Sequence, residues 1–344
     1  MFKKVVSLIM VAAITASLAA CGNAAKSTES AGSAAAEQAG TSTDVKWPKN
    51  VEIVVPAGAG GDTDFNARLL ADKLGKKISG VNFVVSNVNG NGGATGTRQV
   101  KNAENDGSSV VFYHTALLVN KASKATDYGF ESFEFACIAA QNVGNVLTIR
   151  SNLGIKSLDE LKKYTEEHPG ELKMAAQTGA TSYAIAMQMK NAGFNINVVD
   201  AGSAADRLAA IVGGHVDLIL SAYGSVKDYI QQGELIPLAM DGENDLVVDD
   251  QQIDVKAFKN QGFENVNLPF YYFFAFPKGT DANLVNAFDE AVSDIVNNDS
   301  DYQQKIYDSY YQKPFFQNAE DGLKTYSEID EMLSKIDLTG KVSG

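Results

Sequence analysis

The 344-residue sequence predicts an α/β protein in two lobes with a ligand cleft between them, on three observations. Short β-rich runs alternate with amphipathic helices along the body. The same alternation starts afresh near residue 144. Two strand-like stretches, near residues 138–148 and 269–277, carry the chain from one unit to the other and back.

In the first unit, Val51, Ile53, Val54 and Val55 mark a strand, followed by a glycine-rich loop over 56–61. Phe65, Leu69, Leu70, Leu74 and Ile78 then recur at helical spacing. Asp62, Thr63 and Asp64 stand where an N-cap belongs. Residues 83–85 read as the next strand, running into Asn89-Gly90-Asn91-Gly92-Gly93, where glycine supplies positive φ. Residues 110–113 are the third strand and end at His114. Cys137 lies in an apolar strand-like run and reads as a buried thiol.

The second unit repeats the grammar. Residues 146–149 are a strand, 158–167 a helix stopped by Pro169-Gly170, and 173–176 a strand entering the small polar loop 177–182. Ile185, Met189 and Ala192 mark a helix; Leu208, Ile211 and Val212 mark another. Residues 216–220 and 235–240 are strands. From Leu284 onward the chain is helical, with Leu284, Phe288, Val292 and Ile295 on one face, and Leu323, Tyr326, Ile329, Leu333 and Ile336 on one face of a terminal helix. The expected lobes are 46–143 with 270–344, and 144–269. In open α/β sheets ligands bind beyond the carboxyl ends of the strands, so the loops after 51–55, 110–113 and 173–176 are expected to converge on the cleft.

The N-terminus reads as a secretory signal: Lys3 and Lys4, an apolar run over 5–16, then Leu18-Ala19-Ala20-Cys21. The run is too short for a membrane-spanning helix, which needs about 20 apolar residues. Leu-Ala-Ala-Cys resembles the bacterial lipobox, so Cys21 is the expected lipidation site, and residues 22–45, rich in Ala, Ser, Gly and Thr, the flexible tether. The expected location is extracytoplasmic and lipid-anchored at the cell membrane. The formal charge is −13 and becomes −15 once residues 1–20, with two lysines and no acids, are removed. An acidic surface argues against nucleic-acid binding.

Glycines in Pro56-Ala57-Gly58-Ala59-Gly60-Gly61 let the backbone turn sharply before a helix N-terminus, a combination that suits a carboxylate or phosphate. A plain tight turn reads equally well. The dinucleotide and phosphate-loop patterns are both incomplete. Gln177-Thr178-Gly179-Ala180-Thr181-Ser182 is the same device on the other lobe, and together the two form a clamp. Catalytic patterns are poor. His168 and His215 read as surface residues, and His114 stands at a strand end without a nucleophile context. No metal spacing is present, so neither metal, cofactor nor enzymatic activity is expected.

The motif Pro56-x-x-x-Gly60-Gly61-x-Thr63-Asp64-x-x-Ala67-Arg68 resembles the first signature of the tripartite tricarboxylate transporter substrate-binding proteins, the Bug family. Val85-x-Asn87-x-x-Gly90-x-Gly92-Gly93-x-x-Gly96 is similar to their second segment. Asp106-Gly107, Asn120, Gly213-Gly214-x-Val216-Asp217 and Phe276-Pro277-x-Gly279-Thr280 follow in family order. The resemblance covers residues 47 to about 336. It implies a type II periplasmic-binding-protein clamshell, a monomer, that captures a small carboxylate (a di- or tricarboxylate, or an acidic amino acid) and delivers it to a membrane permease. It also implies that backbone N–H groups and hydroxyls from residues 57–64 and 177–183 hold the solute. The expected contact residues are Ala57, Gly60, Gly61, Asp62, Thr63 and Asp64, with His114, Thr178, Gly179, Ala180, Thr181, Ser182, Tyr183 and Gly202.

Three departures from the family pattern stand out. Ala57 replaces a frequent aromatic residue, Asp62 occupies a spot usually small or uncharged, and Thr181-Ser182-Tyr183-Ala184 replaces a longer Gly/Ser run ending in His-Leu. A carboxylate beside an anion site costs energy unless a cation or water network offsets it. Asp62 therefore reads either as a helix cap or as the partner of a ligand ammonium group.

Overall fold

In a computed structural model of the chain, residues 45–248 and 253–339 are described. The expected signal segment, Cys21 and nearly all of the expected tether lie outside them. Among the described residues no helix is long and apolar enough to cross a membrane.

The first layer starts with β1 (Asn50–Val55), α1 (Asp62–Lys77), β2 (Asn82–Asn87), α2 (Ala94–Lys101), β3 (Ser109–His114), α3 (Ala116–Ala122) and β4 (Phe133–Gln141). The chain then crosses through 142–144 into β5 (Asn145–Arg150), α4 (Leu158–Glu167), β6 (Lys173–Ala176), α5 (Thr181–Asn191), β7 (Asn197–Asp200), α6 (Ala204–Val212), β8 (Leu218–Ala222), α7 (Tyr223–Gln231) and β9 (Leu235–Met240). A small antiparallel pair, β10 (Leu246–Val248) and β11 (Ile253–Val255), precedes the return through β12 (Tyr271–Pro277). Three helices close the chain: α8 (Ala282–Asn298), α9 (Ser300–Tyr310) and α10 (Ala319–Leu333).

Two five-stranded mixed sheets result, in the orders β2-β1-β3-β12-β4 and β7-β6-β8-β5-β9. In each, the three strands at one side are parallel, the fourth (β12 or β5) runs antiparallel to them, and the edge strand beyond it (β4 or β9) is antiparallel to that fourth strand. The parallel strands carry near-continuous apolar runs because helices cover both faces. Val51, Ile53, Val54 and Val55 are all buried, as are Val110, Val111 and Phe112. The two-lobed α/β clamshell expected from the sequence is the observed architecture.

Helix α4 and strands β6 and β9 occupy the expected residues. Elsewhere the non-local pairing differs from the local pattern. The stretch 138–148 is divided between β4 of the first sheet and β5 of the second, so that crossing shrinks to 142–144, and most of 269–277 is β12, which pairs with both β3 and β4. The expected strand at 216–220 is shifted to β8. The long C-terminal helix breaks at Asp299, whose carboxylate accepts from the Tyr302 amide at 2.9 Å and so starts α9. Cys137 is fully buried and unpaired in the first sheet.

Candidate functional site

A cavity of about 70 Å³ lies between the two sheets, at the carboxyl ends of their parallel strands. Its walls come from both. The first sheet contributes Pro56, Ala57, Gly58, Gly61, Asp62 and Thr63 after β1, and Tyr113 and His114 from β3. The second contributes Gln177, Ala180, Thr181 and Ser182 after β6, Ser203, Ala204, Ala205 and Arg207 at the start of α6, and Ser221 and Ser225 near the start of α7. Leu220 and Ala222 of β8, Asn145 at the start of β5 and Phe270 just before β12 complete it. First-turn residues of α1, α5 and α6 therefore border one space, where the partial positive charge of helix N-termini favours an anion. Helices α1 and α5 have Gly61 and Ala180 at their N-caps and no capping side chain.

Asp62 does not cap α1. Its Oδ2 instead accepts from the Asn142 amide at 3.1 Å and from the Tyr272 hydroxyl. Burial pushes its pKa up, and the Tyr272, Thr63 and Asn142 donors act against that rise. Asp64 turns the other way: it accepts from Gly60 N at 3.0 Å, Arg68 Nε at 3.0 Å and Asn87 Nδ2 at 2.9 Å, bracing the loop. Those donors outweigh its partial burial and hold its carboxyl below the usual range.

Arg207 supplies the cation that an acidic loop requires. Its side chain is only 7% exposed. Nη1 donates to the Gly202 carbonyl at 2.9 Å, while Nε has no partner. Among the described residues no carboxylate lies within ion-pair distance of it. Burial pulls its pKa down to about 10, opposed by Asp62, Asp200 and Asp206, so it stays charged at neutral pH. Beside it, His114 is pushed down to about 3 by burial and by the Arg207 charge. Its Nδ1 accepts from Ala116 N at 3.2 Å, which leaves the proton of the neutral ring on Nε2. Ser221, 4% exposed, presents a hydroxyl without a partner.

Of the sequence-predicted residues, Ala57, Gly61, Asp62, Thr63, His114, Ala180, Thr181 and Ser182 line the cavity. Six others do not. Gly60 and Asp64 bond each other away from it, and Tyr183 is sunk in the core. Thr178 N donates to Asp200 Oδ2 at 3.1 Å, bracing the loop, and the Gly179 carbonyl accepts from Asn120 of the other half at 3.1 Å. Gly202 holds Arg207 through its carbonyl. Sequence reasoning missed Arg207, Ser221 and Ser203. One local signal was available: Ser203 and Asp206 form a capping box that starts α6, placing Arg207 in its first turn.

The two halves also meet beside the cavity. Asn120 Nδ2 donates both to Gly92 O, at 2.6 Å, and to Gly179 O, at 3.1 Å, linking a loop of each sheet. Residues 66–328 match the tripartite tricarboxylate transporter family receptor. The chain is 27% identical over 180 residues to the UPF0065 protein in the tcbD-tcbE intergenic region of Pseudomonas sp. (strain P51), a match covering 52% of this chain and about half, 53%, of that relative. A solved periplasmic transporter superposes with a TM-score of 0.75 at 25% identity, over 83% of this chain and 95% of that one. MatC from Rhodopseudomonas palustris with bound malate gives 0.74 at 22% identity, over 86% and 100%. This chain therefore belongs to the receptors of the tripartite tricarboxylate transporter family, extracytoplasmic solute-binding proteins of the periplasmic-binding-protein fold and not enzymes.

Proposed function

We propose that the protein captures a small carboxylate-bearing solute in the cavity between its sheets and delivers it to the membrane subunits of a tripartite tricarboxylate-type permease. The observation that carries this reading is Arg207, a buried charged side chain at the cavity whose Nε has no partner in the protein. Its guanidinium has no carboxylate within ion-pair distance among the described residues, and a ligand carboxylate supplies that counter-charge through a charge-assisted hydrogen bond. The uncapped first turns of α1 and α5 act in the same direction. A relative of the same fold is described with malate bound. The contact set is Gly61, Asp62, Thr63, His114, Thr181, Ser182, Ser203, Arg207 and Ser221.

Capture closes the two halves by rotation about the crossing at 142–144 and the return into β12, with ligand stabilising the closed form. At about 100 times its dissociation constant, a ligand raises stability by roughly 2.7 kcal/mol. A thermal-shift screen of di- and tricarboxylates, amino acids and aromatic acids should therefore give a few clear hits that vanish in Arg207→Met. Flat curves across every carboxylate-bearing compound would end this reading. The receptor is tethered by a lipid on Cys21, on the strength of the Leu18–Cys21 box and the polar stretch after it. Cys21→Ser should be released from membranes and lose lipid labelling; a variant still lipid-labelled refutes the anchor.

A further inference from the structure

The carboxylate reading leaves Asp62 unexplained. This side chain brings a negative group to a cavity bordered by helix N-termini, and it is bonded there by residues 80 and 210 positions away in sequence, Asn142 and Tyr272. Neither partner is a positive charge. Arg207 attracts Asp62 electrostatically, yet no ion pair joins the two. They stand on different sheets, Asp62 at the start of α1 and Arg207 in the first turn of α6, and both line the same 70 Å³ space. His114, the imidazole in the lining, is neutral at physiological pH. Within the lining itself, Asp62 supplies the one carboxyl and Arg207 the one guanidinium, on walls that belong to different sheets, while Asp200 and Asp206 act on Arg207 from outside the lining.

A dicarboxylate fits that arrangement poorly. One of its ends meets Arg207, and the other adds a negative charge near Asp62. A solute with one anionic and one cationic end satisfies both, and each contact becomes a charge-assisted hydrogen bond in a desolvated space. Size narrows the class further. A cavity of about 150 Å³ is enough to hold benzene, so one of about 70 Å³ requires a compact solute. The hydroxyls of Ser203, Ser221, Ser225 and Thr181 supply polar contacts, but the lining offers no second cationic side chain for an acidic one.

We propose that the cavity selects a compact zwitterion, an α-amino acid with a short neutral side chain, whose carboxylate is held by Arg207 and Ser221 and whose ammonium faces Asp62. This inference rests on the carboxylate-receptor reading and sharpens its ligand class. Among amino acids it favours neutral ones over acidic ones, because the site has a single cation.

Calorimetric titration of the processed protein tests it with matched probes: glycine, L-alanine and L-serine, their deaminated counterparts acetate, propionate and 3-hydroxypropionate, and the diacids malate and succinate. At least one of the amino acids should bind about tenfold or more tighter than its deaminated counterpart and tighter than either diacid. In Asp62→Asn that preference should fall to within a few-fold, and in Arg207→Met amino-acid binding should be lost. The wild-type comparison stands even if a variant misfolds. Malate or succinate binding tightly while the three amino acids give no heat would overturn the zwitterion inference and leave the carboxylate receptor intact. An unchanged preference in a folded Asp62→Asn would overturn the role of Asp62. No heat from any probe, together with a flat screen across carboxylates, would overturn both readings.

Discussion

The Asn142 side-chain amide donates to the Asp62 carboxylate across 3.1 Å, tying the crossing between the sheets to the helix start that borders the cavity. The next residues of the same crossing reach the cavity wall at Asn145, whose backbone amide and side chain both donate to the Asp241 carboxylate at the end of β9. Crossing, helix start and cavity wall are therefore one hydrogen-bonded unit. A rotation of one half against the other must strain or re-form these bonds.

Tyr272→Phe should destabilise the protein by about 1–3 kcal/mol at neutral pH, because the Asp62 carboxyl oxygen then keeps Asn142 as a donor but loses the Tyr272 hydroxyl. The ring itself is retained, so no cavity is created. Urea unfolding measures the loss; a change below about 0.5 kcal/mol would mean that Tyr272 contributes only its ring to the core.

Asp241 gives a pH dependence of defined sign. Burial pushes its carboxyl from 3.8 up to about 7, with the Asn145 bonds acting against the rise. The folded chain thus keeps this proton to higher pH than the unfolded chain does. Its effect on stability is most favourable below about pH 4 and is lost as pH rises towards 7 and beyond. Asp241→Asn removes that titration. The stability of the variant relative to wild type should rise with pH across this window, by at most about 1.4 kcal/mol per pH unit. Urea midpoints at several pH values check it, and a constant difference between the two proteins would contradict it.

His114 acts in the opposite direction. Its pKa falls from 6.5 to about 3 on folding, so the folded chain holds fewer protons than the unfolded chain between those values. Its contribution is complete above pH 6.5 and is lost as pH falls towards 3. Imidazole nitrogen shifts followed by NMR should keep the neutral pattern, protonated at Nε2, down to about pH 4. A titration near 6.5 would place His114 in water rather than beside Arg207.

Gly92→Ala should hold the two halves apart. Gly92 has a φ of +60°, and a β-carbon there would stand 2.5 Å from the Thr178 carbonyl oxygen and 2.7 Å from the Gly179 carbonyl carbon, backbone of the opposite loop. Gly60→Ala is the control: its φ is +82°, but nothing lies within 4 Å of the added carbon. Both variants carry the left-handed backbone cost of about 1–2 kcal/mol. Only Gly92→Ala should also enlarge the radius of gyration in small-angle scattering and weaken solute binding. Equal behaviour of the two variants would remove the wedge argument.

The alternation of strands and helices was legible in the sequence because it is local. Leu161 is buried by the period of α4, and Met174 by the apolar run of β6, wherever those elements dock. The loops at 56–63 and 177–182 were legible for the same reason: small residues between a strand and a helix mark a sharp turn. Two loops that border one cavity could thus be named without coordinates.

What only the tertiary structure decided is the chemistry of that cavity. Arg207 belongs to a short helix that Leu208, Ile211 and Val212 alone mark in the sequence, and the packing of α6 against β6 and β8 buries it beside His114. Asp62 has the sequence context of a helix cap, but Tyr272, 210 residues further on, takes its carboxylate. Sequence spacing describes neighbours along the chain. The charge partners and the burial of a site are set by segments that approach only when both sheets are assembled, so their pKa shifts and unpaired donors exist only in the folded protein.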